Sequence, residues 1–124
     1  KHSTGEKLIQ GLLKKMEIKY TTQKSFYGCM NDKTGKSLPF DIYVPEFHTC
    51  IEFDGYQHFI PVERWGGDDK LKEVQYRDNI KNVYCKLDLF FSDIFFCITV
   101  SMFDPGPSFS FNSLSMSIII SFCL

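Results

Sequence analysis

The chain has 124 residues, 44% of them hydrophobic and 23% charged, which suits one globular domain with a modest core and excludes a disordered chain. The formal net charge is −1. All 14 Lys and Arg lie in residues 1–86, against 12 acids there (net +2), while residues 87–124 carry only three acids (net −3). So weak a basic excess means that any contact with DNA must come from local clustering of charge. The five cysteines are odd in number and include no C-x-x-C pair, which argues against a disulfide framework and a zinc ribbon and points to a reduced, intracellular protein. The chain opens at Lys1 without a Met, as a fragment would. Its first apolar cluster is amphipathic and laced with Lys, unlike a signal peptide.

Ser3-Thr4-Gly5-Glu6 has the spacing of a capping box and predicts a helix start. Leu8, Ile9, Leu12, Leu13 and Met16 then recur at helical spacing to about residue 17. Residues 18–26 read as a strand, and 27–37, with Gly, Asn and Asp, as a loop. Two β-rich runs, 38–44 and 49–55, flank Pro45-Glu46-Phe47-His48 and predict a hairpin. Pairing Val44 with Thr49 puts 42 opposite 51 and 40 opposite 53. Phe40, Ile42, Ile51 and Phe53 then share one apolar face, and Asp41, Tyr43, Cys50, Glu52 and Asp54 share the other. Residues 55–67 form a loop, and Asp68 or Asp69 caps a second helix to about Lys86, whose inward stripe holds Leu71, Val74, Asp78 and Cys85.

After Lys86 the composition changes: residues 87–124 hold eight Phe and eight Ser and no Lys or Arg. No period runs through this stretch, so it is expected not to extend the sheet, and the chain divides into a core, 1–86, and an atypical tail, 87–124, resembling a frameshift or read-through. No apolar run there reaches the ~20 residues of a membrane helix, so no membrane partner is expected.

The chemistry concentrates on the hairpin. Asp41 and Glu52, directly opposed, have Cβ atoms roughly 5 Å apart and repel. A divalent cation, Mg²⁺ or Mn²⁺, between them accounts for such a pair, since Mg²⁺ is commonly held by one or two carboxylates plus water and phosphate. His58 suits proton transfer near neutral pH. Asp78 suits orientation of that imidazole, and Glu6 suits assistance from the first helix. Asp54, Gln57, Arg77 and Lys81 are supporting candidates. Lys70, Lys72, Arg77 and Lys81 suit phosphate contacts, and Tyr56, Phe59 and Trp65 suit stacking on bases.

Glu6, Pro39-Phe40-Asp41, Ile51-Glu52-Phe53-Asp54-Gly55-x-Gln57-His58 and Arg77-Asp78 together resemble the PD-(D/E)XK nuclease superfamily. The resemblance is to its very-short-patch-repair-like branch, with phage and viral homing endonucleases, and covers about residues 3–86. That branch's Glu, Asp, His, Asp signature maps onto Glu6, Asp41, His58 and Asp78. The resemblance implies an α/β, restriction-endonuclease-like core of helix, antiparallel three-stranded meander and helix. It also implies Mg²⁺-dependent phosphodiester hydrolysis in DNA, of homing or mismatch-repair type. Where the superfamily has a Lys two residues after the Glu, Asp54 stands here, so that lysine's role passes to His58 or is lost. The rival expectation is a non-catalytic DNA-binding or interaction remnant.

Overall fold

The structure is a computed structural model and describes residues 2–55, 61–91 and 96–101. The first helix, α1, spans Thr4–Lys15. The Ser3 hydroxyl caps it, accepting from the Glu6 backbone N–H at 3.2 Å. Glu6 in the first turn and Lys14 and Lys15 in the last complement the helix dipole. The helix stops two residues short of the expected end because Glu17 turns left-handed (φ 58°) and Ile18 N–H closes back onto Leu13 C=O at 2.9 Å.

Strand β1 covers only Thr21–Lys24. The meander continues through β2, Phe40–Val44, a single 3₁₀ turn at Pro45–Phe47, and β3, Thr49–Asp54. His48 closes the turn in the left-handed region (φ 46°). The register is the expected one, with Val44 opposite Thr49 and Ile42 opposite Ile51. Helix α2 runs Gly67–Phe91 and leads to β4, Phe96–Ser101. The four strands form one sheet in the order β1-β2-β3-β4, antiparallel except for β4, which lies parallel to β3 from Thr49↔Phe96 to Asp54↔Ser101. The chain is thus α/β with a mixed sheet.

The helices cover opposite faces of the sheet. Leu13 and Ile9 of α1 pack on Ile42, Val44 and Ile51. Ile80, Tyr84 and Cys85 of α2 pack with Cys50, Tyr43, Cys97, Cys29 and Leu38. The 27–37 loop is pinned to α2, with the Tyr76 hydroxyl donating to Asp32 and the Lys33 ammonium 3.9 Å from the Tyr76 ring centre. That anchorage delivers Cys29 and Leu38 to the core.

Three expectations are corrected. Phe40 does not share a face with Ile42: its ring joins the α2-side cluster, edge-on to Phe26 at 5.7 Å, because the β2–β3 pairing departs from a regular ladder beyond Ile42. Residues beyond Lys86 do extend the sheet: α2 runs through the expected boundary to Phe91, and Phe96–Ser101 becomes β4. Within these six residues Phe96, Ile98 and Val100 alternate with Cys97, Thr99 and Ser101, a period of two too short to stand out from the unpatterned stretch around it. Third, Cys85 and Cys97 form a disulfide, brought within a Cα–Cα distance of 6.4 Å by the crossover from α2 into β4. The rest of the tail, 102–124, lies outside the described residues. Among the described residues no helix is long and apolar enough to cross a membrane.

The two α1 glycines have opposite surroundings. A Cβ at Gly5 would sit 2.1 Å from the Phe53 ring, whereas one at Gly11 meets nothing within 4 Å. Gly11→Ala should therefore stabilise the protein by about 0.5–1 kcal/mol, the usual helical preference. Gly5→Ala should destabilise it by about 1–3 kcal/mol through overpacking. Urea denaturation of both variants decides the matter, and a gain of stability at position 5 would remove the tight α1–β3 contact from the account.

Candidate functional site

Asp41 and Glu52 project from adjacent strands where the β2–β3 ladder ends. The backbone explains the geometry at Asp41: its Oδ2 accepts from the Phe53 N–H at 2.8 Å. The side chain therefore takes up a strand donor just past the last ladder pair and is held at the level of Glu52. Glu52 lies on the α2 side of β3 with its side chain 16% exposed. From α2, the Lys81 ammonium reaches Glu52 Oε1 at 2.9 Å, and its side chain is likewise 16% exposed. The same ammonium lies 5.4 Å from the centre of the Phe40 ring, so the corrected position of that ring helps to wall the site.

Burial pushes the Glu52 carboxyl up to about 8, and the charge and hydrogen bonding of Asp41 push the same way, against the opposing Lys81 ammonium. An ion-pair distance to Lys81 and a raised pKa pull in opposite senses here. The upward direction prevails because the carboxyl has lost most of its water and faces a second carboxylate. The buried Cys29 thiol is also pushed up, first by its own desolvation, with Lys81 opposing and Glu52 adding to the shift. Cys29 therefore lies within electrostatic reach of the pair.

The remaining expected residues take varied positions. Asp54 is half-buried at the end of β3, on the same alternation as Glu52. Arg77 and Asp78 are half-buried on α2, one turn before Lys81. Glu6 is on α1, the helix that covers the other face, where its carboxylate meets His2 Nδ1 at 3.1 Å. His58 and Gln57, with Tyr56 and Phe59, lie outside the described residues. Trp65 is exposed, with the Arg64 guanidinium 4.7 Å from its ring centre. The structure thus joins Asp41, Glu52 and Lys81, and leaves Glu6 with a different partner.

Lys81 is the residue whose importance the sequence reading understates, by placing it among phosphate contacts on a charged helix face. Its spacing carried the signal. Lys81 lies seven residues after Val74 and four before Cys85, both buried, so it falls on the stripe turned to the sheet. Among the described residues no group of three or more His, Cys, Asp or Glu is arranged to enclose a metal ion.

No family model matches the chain, and no solved structure matches it. Uncharacterized protein 094L of Frog virus 3 (isolate Goorha) is 34% identical to it over 61 residues, which is 48% of this chain. The chain spans 39% of that protein's length.

The raised Glu52 pKa has a consequence for folding. Because the folded state holds this proton more tightly than the unfolded one, the stabilisation is complete below the ordinary value of 4.5 and is lost as the pH rises through about 8. In chelator, the urea midpoint should therefore fall between pH 5 and pH 9, and Glu52→Gln should flatten that fall. A pH dependence identical in wild type and variant would show that Glu52 is not the group responsible.

Proposed function

We propose that this chain is the core of a Mg²⁺-dependent DNA endonuclease with a restriction-endonuclease-like fold. The observation that carries the reading is the half-buried triad of Asp41, Glu52 and Lys81, where two carboxylates and an ammonium meet at the end of a strand pair. The order helix, antiparallel meander, helix and parallel strand agrees with it.

The donor set fits a hard divalent cation. Asp41 and Glu52 are adjacent carboxylates, and burial, with the repulsion of Asp41 added to it, raises the Glu52 pKa. Mg²⁺ is commonly bound by one or two carboxylates, with water and phosphate oxygens completing its shell, so a full cage of protein ligands is not needed. Mn²⁺ suits the same oxygens. Once bound, such an ion lowers the pKa of water and neutralises charge on a phosphate.

The chain's own groups do the rest. Asp41 is held in place by the Phe53 N–H, and its carboxylate also hydrogen-bonds with Glu52, so the two present their oxygens together. Lys81 brings a positive charge beside Glu52, and in a substrate complex it stabilises charge developing on the scissile phosphate. His58 moves the proton, with Asp78 as its orienting carboxylate. Arg77 and the exposed Lys72 on α2 offer phosphate contacts along the DNA backbone.

A supercoiled-plasmid nicking assay tests the reading. Cleavage should require Mg²⁺ or Mn²⁺ and stop in EDTA. Asp41→Asn and Glu52→Gln should abolish it, and Lys81→Met should slow it by about 10²–10³-fold, the loss typical of a fixed group that stabilises transition-state charge. Undiminished nicking by Asp41→Asn would sink the assignment. His58→Ala should lower the rate by roughly 10²–10⁴-fold with the fold intact. If that variant turns over like wild type, the imidazole has no part in the reaction.

A further inference from the structure

Four cysteines meet on the α2 side of the sheet. Cys29, Cys50 and Cys85 are buried in one cluster, and Cys97 packs against it. Two of the four, Cys85 and Cys97, are joined by a disulfide, and the bond does not include Cys29 or Cys50. The bond ties two elements that define the candidate site. Cys85 lies one helical turn after Lys81, on the same face of α2. Cys97 is the cross-strand partner of Cys50, two residues before Glu52 on β3, and Thr99 is the partner of Glu52 itself. The covalent link thus clamps the turn of α2 that carries Lys81 onto the part of the sheet that carries Glu52.

We propose that the Cys85–Cys97 bond is a reversible thiol–disulfide lock that holds Lys81 against Glu52, so that a low-molecular-weight thiol of the glutathione class sets the state of the site. Its effect on cleavage rests on the nuclease reading above; its effect on Lys81 does not. Cys97 is the accessible end, half-buried on the end strand of the described sheet, whereas Cys85 is 1% exposed. A reductant thiolate attacks Cys97 Sγ, the S–S bond breaks, and Cys85 leaves as a thiolate that takes a proton from water. A second reductant thiol resolves the mixed disulfide and frees Cys97. The protein gains two electrons and two protons, and the reductant departs as its own disulfide. Oxidation by the same couple runs the steps in reverse.

Released, the Lys81 turn keeps non-covalent contacts alone, among them Ile80, Tyr84, the Phe40 ring and the Glu52 ion pair. The amine then samples solvent. The test uses the full chain in buffers of oxidised or reduced glutathione, with the Cys85–Cys97 state read by alkylation and mass spectrometry. A pulse of acetic anhydride follows, and peptide mapping gives the acetylation rate of Lys81 against Lys70, whose side chain is 46% exposed. Reduction should raise the Lys81 rate on the order of tenfold, as expected when a locally protected group begins to open, and leave Lys70 unchanged. The double variant Cys85→Ser, Cys97→Ser should show the high rate in both buffers. If it does not fold, the wild-type chain, reduced and then reoxidised, decides alone. An unchanged Lys81 rate in chains whose two cysteines are shown to be reduced would overturn the lock. So would failure of the bond to form at any glutathione ratio. Because acetylation needs neither DNA nor metal, redox-dependent labelling in a chain that never nicks plasmid would uphold the lock and overturn only the nuclease reading.

Discussion

A side chain doing a backbone's work organises this molecule. Asp41 accepts the Phe53 N–H beyond the last regular pair of the β2–β3 ladder. A buried N–H at the end of a ladder needs an acceptor, and a carboxylate supplies a stronger one than a carbonyl. With Asp41 so occupied, the strands end with two acids side by side, and Glu52 is left largely desolvated next to a like charge. Lys81 is the partial remedy, and it can be delivered only by a helix laid across that face. Helix α2 in turn can lie there only because the chain returns to the sheet in the parallel sense as β4.

Such an arrangement is poorly explained as a device for stability. Desolvating a carboxylate beside another carboxylate is unfavourable, and a single ammonium at 2.9 Å does not restore the carboxyl to its ordinary pKa. Strongly shifted carboxyls with a specific charge partner cluster at functional sites. The charge balance makes the triad responsive to whatever alters the placement of one member, which is why a covalent link one turn away along α2 bears on it.

Much of this was legible from the residues, and the limits have physical causes. The hairpin register followed from the lengths of two β-rich runs around a four-residue connection, and with it came the nearness of Asp41 to Glu52. The capped first helix was equally readable, since Ser3 and Glu6 act within one turn. Alternation failed at Phe40, because a period of two holds only while the ladder is regular. The fourth strand was hidden because its alternation lasts only six residues, Phe96–Ser101, inside a stretch with no period of its own. The disulfide was beyond reach of spacing rules, since only the crossover brings Cys85 and Cys97 together. Lys81 stood on a readable stripe, yet its partner lies 29 residues away on another element, and sequence periodicity does not report such pairings.

The parallel strand also dictates when the molecule can be complete during synthesis. Strands β1, β2 and β3 pair with near neighbours in the chain, so the meander can close soon after Asp54 emerges from the ribosome. Thr49, by contrast, must wait for Phe96, on the far side of the whole of α2. Throughout that interval the outer edge of β3 shows a row of unpaired N–H and C=O groups, open to pairing with another nascent chain. The arrival of β4 closes that edge and seats α2 in the same event. The acids are thus in place early and their lysine arrives late, so a chain that stalls before residue 96 carries both carboxylates of the site without the strand that fixes the helix over them.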